Sequence, residues 1–192
     1  QVRCASKELF TKFRDLGIPI GKKSDKSYSV PVWIMNGSVE IQKAFLAAFL
    51  GGDGTAVTIQ VEERTRKGTY NSIKLNDIEI YKRIDLLEQG IEFAQQISAL
   101  LELQGVTVKK IFNKGDFTRK NGTKSTSIHI NLAKKVESVL AYCKIGFSYC
   151  HDKSDRVKRV RSFLERLAQM RRIWREKHAT ALNLYNTGRN LK

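Results

Sequence analysis

Proline occurs only twice and cysteine only three times in this 192-residue chain. So little proline leaves room for long uninterrupted helices and strands. Cys4, Cys143 and Cys150 are too few, and odd in number, for the disulfide framework of a small secreted domain. Cys143, Cys150 and His151 do not make a usual zinc knuckle: the two cysteines stand seven apart and a fourth ligand is missing. They read as small core residues. Charges interrupt every apolar run well before the roughly 20 residues that a bilayer span requires. No secretory leader opens the chain. The expectation is an intracellular protein, in whichever compartment holds its partner, neither secreted nor attached to a membrane. No period of 20–50 residues recurs, which excludes a solenoid.

Acidic residues are also scarce: 19 against 35 basic ones, a formal net charge of +16. Such an excess calls for a polyanionic partner, with nucleic acid ahead of an acidic membrane surface. From His151 onward there are 12 basic and 4 acidic residues, a net +8, which is half the total excess. A hydrophobic fraction of 41% supports a packed core.

Along the chain, Ser6–Leu16 reads as a short helix ended by Gly17-Ile18-Pro19. Pro31 makes Val30–Ile34 extended or turning. Ser38 is an N-cap for a helix from Val39 to about Gly51, stopped by Gly51-Gly52-Asp53-Gly54. Two strands follow, about Thr55–Glu63 and Ser72–Tyr81, around a polar hairpin loop. Asp85–Leu103 is an amphipathic helix stopped by Gly105. A second hairpin has strands Val106–Asn113 and Lys124–Leu132, with Gly115 and Lys120-Asn121-Gly122 in its loop. Helices are expected at Ala133–Cys143 and from about Ser154 onward. Beyond Ala179 the chain reads as a frayed end or as the start of a truncated helix-turn-helix. The fold class is therefore α+β: an αββαββα order, an antiparallel sheet and an extra basic C-terminal helix.

Within the apolar helix, Ala47 with Gly51 and Ala48 with Gly52 form small pairs four residues apart, a face that admits another helix closely. Asp53 follows at the negative end of the helix dipole, a poor place for a carboxylate unless a cation joins it. Alternatively, Gly-Gly-Asp-Gly is only a helix stop with a solvated aspartate.

Phe45–Gly54 resembles the motif of LAGLIDADG homing endonucleases, especially those carried in inteins, which often read Phe-Leu-Ala-Gly-Phe-Phe-Gly-Gly-Asp-Gly. Pro31-Val32-Trp33-Ile34 stands where that group has a Pro-x-Trp-Ile segment. Ile145–Lys153 is similar to its Gly-Tyr-Arg-Tyr-Cys-x-x-Lys stretch, with Ser148 where Arg is common. The resemblance implies a site-specific endonuclease cutting double-stranded DNA with Mg²⁺ or another divalent cation. It implies Asp53 and the Gly52 carbonyl as metal ligands and Asp53 and Lys153 as catalytic residues, with Lys82 a weaker candidate that reads more simply as solvated. It also places a sheet in the major groove. Candidate contacts there are Gln60, Glu62, Arg64, Arg66, Lys67, Tyr70, Asn71, Lys74, Asn76, Lys109, Asn113, Lys114, Arg119, Lys120 and Lys124.

A cutting site of this kind needs two motif helices, and only one is present. A second half is therefore expected, in a homodimer partner or upstream in the same polypeptide. Residues 1–34 are read as the tail of a preceding half or an N-terminal extension, 35–150 as the core and 151–192 as a basic helical extension. The opening Gln1 agrees with a processed chain or a piece of a longer one. No splicing nucleophile opens the chain and no His-Asn pair closes it. The alternatives are a non-cleaving nucleic-acid-binding module of that family, an RNA maturase, or a basic domain that pairs through the small-faced helix.

Overall fold

The computed structural model describes residues 5–64 and 68–189, with side chains for 5–62 and 71–187. In chain order the elements are α1 (Lys7–Asp15), α2 (Val32–Met35), α3 (Val39–Gly52), β1 (Thr58–Arg64), β2 (Gly68–Lys74), β3 (Ile78–Arg83), α4 (Leu87–Leu103), β4 (Val108–Thr118), β5 (Lys124–Leu132), α5 (Val136–Ile145) and α6 (His151–Arg189). The class is α+β, with a two-stranded antiparallel ribbon β1–β2 and a three-stranded antiparallel sheet in the order β3-β5-β4.

Local chemistry explains most boundaries. Ser6 and Ser38 cap α1 and α3 by accepting from the amides of Leu9 and Ile41. Gly105 takes a positive φ just past α4, where a side chain would be strained. Pro31 precedes α2 rather than an extended run; its fixed φ suits a helix start.

The second expected strand is in fact two. Leu75-Asn76-Asp77 breaks it, so β2 pairs with β1 while β3 pairs with β5. The order from α3 is thus αβββαββα before α6. Gly115 lies inside β4, not in a loop: the register shifts between Asn113 and Gly115, and the Asn113 side chain accepts from the Gly115 amide at 2.9 Å. The chain past Ala179 continues α6 to Arg189, through Gly188, with neither fraying nor a helix-turn-helix among the described residues.

The core lies between the sheet and the helices. Ile78 and Ile80 of β3 and Ile128, Ile130 and Leu132 of β5 face Phe93, Ala94, Ile97 and Leu101 of α4. Leu46 and Leu50 of α3, Tyr142 of α5 and Val157, Val160 and Leu164 of α6 complete it. Cys143 belongs to this core, and burial pushes its thiol up to about 11. Among the described residues no helix is long and apolar enough to cross a membrane.

The two small pairs on α3 have different surroundings. The turn after α5 lies on Ala47 and Gly51: the Ser148 amide donates to the Ala47 carbonyl at 2.8 Å. A Cβ on Gly51 would stand 1.9 Å from the Ser148 carbonyl oxygen. Gly52 meets nothing within 4 Å, and Ala48 is exposed. Gly51→Ala is therefore expected to cost about 1–3 kcal/mol through overpacking, lowering the melting temperature by several degrees. Gly52→Ala is expected to be neutral or stabilising by less than about 1 kcal/mol. Thermal melts of the two variants side by side check this; equal losses would refute it.

Candidate functional site

The α3 C-terminus is where the sequence concentrates candidates. The last helical carbonyls have no intrahelical partner and carry the negative end of the dipole. Lys153, in the first turn of α6, supplies the partner. Its Nζ lies 3.2 Å from the Leu50 carbonyl, 3.0 Å from those of Gly51 and Gly52, and 2.8 Å from that of Gly54. Lys153 is thus fixed as a cap on a helix other than its own. Gly54 is buried in the same turn; a Cβ there would lie 2.5 Å from the Leu50 Cα.

Asp53 points the other way, and Lys23 donates to its carboxylate. Both side chains are about half exposed, so the pair itself contributes little stability. Mg²⁺ favours six oxygen ligands. Here Lys23 holds the one carboxylate, and Lys153 holds the Gly51, Gly52 and Gly54 carbonyls. Among the described residues no group of three or more His, Cys, Asp or Glu could hold a metal ion. The donors of this chain do not by themselves fit Mg²⁺.

Lys82 is not the solvated lysine that the sequence suggested; it is fully buried. Its Nζ donates to the Lys23 and Lys26 carbonyls at 2.9 and 2.7 Å and sits 3.6 Å from the Tyr28 ring centroid. Burial, then the nearby Lys23 charge, brings its pKa down to about 8. A legible signal existed: Ile78, Ile80 and Lys82 alternate on the inward face of β3. The same burial, with the Asp53 charge, raises the Tyr28 hydroxyl to about 12.

Near Asp53 a cavity of about 570 Å³ opens, walled mainly by aromatic rings, with Lys22, Lys23 and Arg119 beside them. Arg119 Nη1 donates to Ser24 Oγ at 3.1 Å and Asp25 Oδ1 at 2.9 Å. Its Nη2 is buried without an acceptor among the described residues, a cost of about 1–3 kcal/mol.

The outer face of the three-stranded sheet carries a second polar assembly that the sequence reading missed. Ser127, His129 and Asn131 alternate outward on β5. Ser127 Oγ lies 2.9 Å from His129 Nε2, and His129 Nδ1 lies 3.2 Å from Asp77 Oδ2. Asn131 Nδ2 donates to Asp77 Oδ1 at 2.7 Å. Phe112 tilts over His129, and Tyr81 meets Phe117 edge to face one step along. Ser127 and His129 are buried, so the network orients the face rather than presenting a free nucleophile.

The candidate nucleic-acid contacts among the described residues do not all share one face. On the ribbon, Gln60, Glu62 and Lys74 share a face, whereas Asn71 pairs with Val61 on the opposite one. Glu62 accepts from Ser72. Arg64, Arg66, Lys67 and Tyr70 lie outside the residues whose side chains are described. Asn76 is exposed in the β2–β3 link. Lys109, Lys114, Lys120 and Lys124 are exposed on or beside β4 and β5, with Lys110 as a neighbour the sequence reading omitted. Asn113 is engaged in the β4 bulge and accepts from Thr126, and Arg119 is held at the cavity.

Two expectations follow from this geometry. Lys153→Met leaves four carbonyls without their cation and should cost about 2 kcal/mol in urea unfolding. For Lys82, the unfolded lysine, near 10.4, binds more protons than the folded one, near 8. Stability contributed by this group therefore rises between about pH 8 and 10. Tyr28 acts with opposite sign, since its folded form keeps its proton above pH 10, and stability falls there. Urea titrations at pH 7, 8, 9 and 10 should show the rise in the native chain and its absence in Lys82→Met.

No family model matches this chain, and no solved structure does. Curated relatives do. It is 30% identical over 160 residues to the tRNA-splicing ligase RtcB of Pyrococcus furiosus, covering 77% of this chain and 16% of that protein. It is 26% identical over 145 residues to the tRNA-splicing ligase RtcB of Methanocaldococcus jannaschii, covering 73% and 15%. It is 27% identical over 147 residues to the DNA-directed RNA polymerase subunit Rpo1N of Methanocaldococcus jannaschii, covering 77% and 10%. The chain thus spans about a sixth or less of the length of these relatives. None of these names is that of a homing endonuclease or an intein. The assignment to the LAGLIDADG family, the DNA-cleaving function and the intein association are withdrawn on that finding. The residues that suggested them have a packing account: Gly51 and Gly54 admit backbone, Lys153 caps the helix and Asp53 pairs with Lys23.

Proposed function

We propose that this chain is a basic module that grips double-stranded nucleic acid within larger enzymes that process it. The observation that carries this reading is the exposed lysine set on and beside β4 and β5, Lys109, Lys110, Lys114, Lys120 and Lys124, next to a polar outer sheet face. A two-stranded ribbon such as β1–β2 also has the cross-section that the major groove admits. The relatives support a shared binding module rather than either named reaction. About three quarters of this chain matches both a ligase and a polymerase subunit, and only 16% and 10% of those proteins take part.

Lysines of this kind act on phosphates, displacing counterions and holding register, while the exposed amides of Gln60 and Asn76 are of the type that contacts base edges. Fluorescence anisotropy with a labelled 30-base-pair DNA, from 50 to 300 mM salt, tests the proposal. Log affinity should fall linearly with log salt. Replacing Lys109, Lys110 and Lys124 together with Ala should weaken binding at least tenfold and reduce the slope by roughly 0.9 for each phosphate no longer neutralised. Binding indifferent to salt and to the triple substitution would overturn it. An RNA duplex in parallel decides between the two forms of helix.

A second copy is the partner proposed for the open side of α3. Ile41, Ala44, Ala48 and Gly52 fall on one stripe and are all exposed. Sedimentation should show a dimer that Ala48→Arg dissociates; a monomer at 100 µM native chain would remove the proposal.

A further inference from the structure

We propose that the cavity between Asp53 and the outer sheet face is a pocket for a single unpaired nucleotide. It deepens the nucleic-acid reading and rests on it. Its volume of about 570 Å³ lies within the range of small-ligand pockets, about 300–1,000 Å³. The walls are rings from two directions. Tyr28 and Phe49 each stand edge-on to Phe93, with centroids at 4.7 and 6.0 Å. Tyr81 and Phe117 meet at 88° on the sheet side, and both are substantially exposed. Exposed rings bordering a cavity are stacking surfaces for a planar ligand.

One side of the cavity offers basic side chains, Lys22, Lys23 and Arg119, to a phosphate. Lys22 and Arg119 share one carboxylate, that of Asp25. Asp53 and Glu79, the acids of the cavity, already accept from Lys23 and the Tyr81 hydroxyl. The neutral Tyr81 hydroxyl leaves the Glu79 charge in place, so the residues lining the cavity, Lys22, Lys23 and Arg119 against Asp53 and Glu79, carry one positive charge in excess, which Asp25 behind them offsets. The Arg119 Nη2 is a buried donor without an acceptor among the described residues. A phosphate would accept hydrogen bonds from these basic side chains, and a base would lie on the rings. Tyr81 and Phe117 belong at once to the cavity wall and to the outer sheet face, opposite Ser127 and Ser125 in register. A base could thus pass from a strand on that face into the pocket, provided it is out of its stack, since a paired base cannot present both faces to rings.

The test uses 5′-AMP as probe, titrated calorimetrically into the full chain. Binding at sub-millimolar concentration is expected, about tenfold weaker for adenosine, which lacks the phosphate. Phe117→Ala should weaken AMP binding about tenfold or more, with the melting temperature held as the folding control. The Lys109, Lys110 and Lys124 triple variant should bind AMP as the native chain does while losing duplex affinity. A 30-base-pair duplex with one 2-aminopurine opposite an abasic site separates the sources. Tighter binding than the fully paired duplex, with changed 2-aminopurine fluorescence, assigns the pocket to a nucleotide in a strand; AMP binding without that preference assigns it to a free nucleotide, and both support the inference. No AMP binding at 5 mM alongside intact duplex binding overturns the pocket and leaves the module reading standing. Phenyl phosphate binding as tightly as AMP overturns it too. Loss of duplex binding with AMP binding retained overturns the module reading alone.

Discussion

The ammonium of Lys153 is the contact on which the rest of the arrangement around α3 depends. A helix end leaves carbonyls pointing one way, and here three of them and the Gly54 carbonyl of the turn beyond converge on one cation. Capping from another element does more than satisfy acceptors. It sets where α6 begins, and so brings Val157, Val160 and Leu164 into the core at i, i+3 and i+7. It also holds the turn at Phe147–Tyr149 against Ala47 and Gly51, a fit that only glycine permits at position 51. Tyr149 accepts a positive φ in that turn, strain that the neighbouring contacts must offset. With Lys153 on the carbonyls, the Asp53 carboxylate is free to turn toward Lys23, which draws the segment before α2 onto the same end of the helix.

That segment is then tied down by buried polar bonds as well as by the core residue Val30. Lys82 collects two of its carbonyls, Gln96 accepts from the Val30 amide at 2.7 Å, and Tyr28 lies on Phe93. Each tie spans more than 50 residues of sequence. This is why the sequence could not show it: a lysine whose partners are distant carbonyls has no local pattern, except that it stands at an inward position of a strand. The elements with local causes were legible. Ser38 as a cap, α4 with its apolar stripe and Gly105 stop, and β5 at Lys124–Leu132 stand where periodicity placed them. The break at Leu75-Asn76-Asp77 had one local sign, since Asn and Asp favour turns, but it carries neither Gly nor Pro and the sequence reading passed over it. What breaks the strand is tertiary: the Asp77 side chain is committed to His129 and Asn131, and its carbonyl to Thr55 Oγ1.

The Phe45–Gly54 motif shows how one string of residues carries two readings. Its small residues and terminal aspartate suit a metal site between paired helices. They equally suit a helix whose end is packed against backbone and capped by lysines. The second account leaves no residue of Gly51-Gly52-Asp53-Gly54 without a role except Gly52, and Gly52 lies on the open stripe of α3.

The charge of +16 needs its own explanation, because like charges oppose a compact fold. Most of the repulsion is kept away from the core. All four acids of α6 are paired within the helix, Asp152 with Arg156, Asp155 with Lys158, Glu165 with Arg161 and Glu176 with Arg172. The 12 cations from His151 onward outnumber these four acids by eight. Past Leu167 every described side chain of the helix is exposed, and at about 1.5 Å per residue its 39 residues extend roughly 58 Å. A polyanion lying along it would neutralise charges that the protein leaves uncompensated. Binding and relief of self-repulsion would then be one and the same free-energy change.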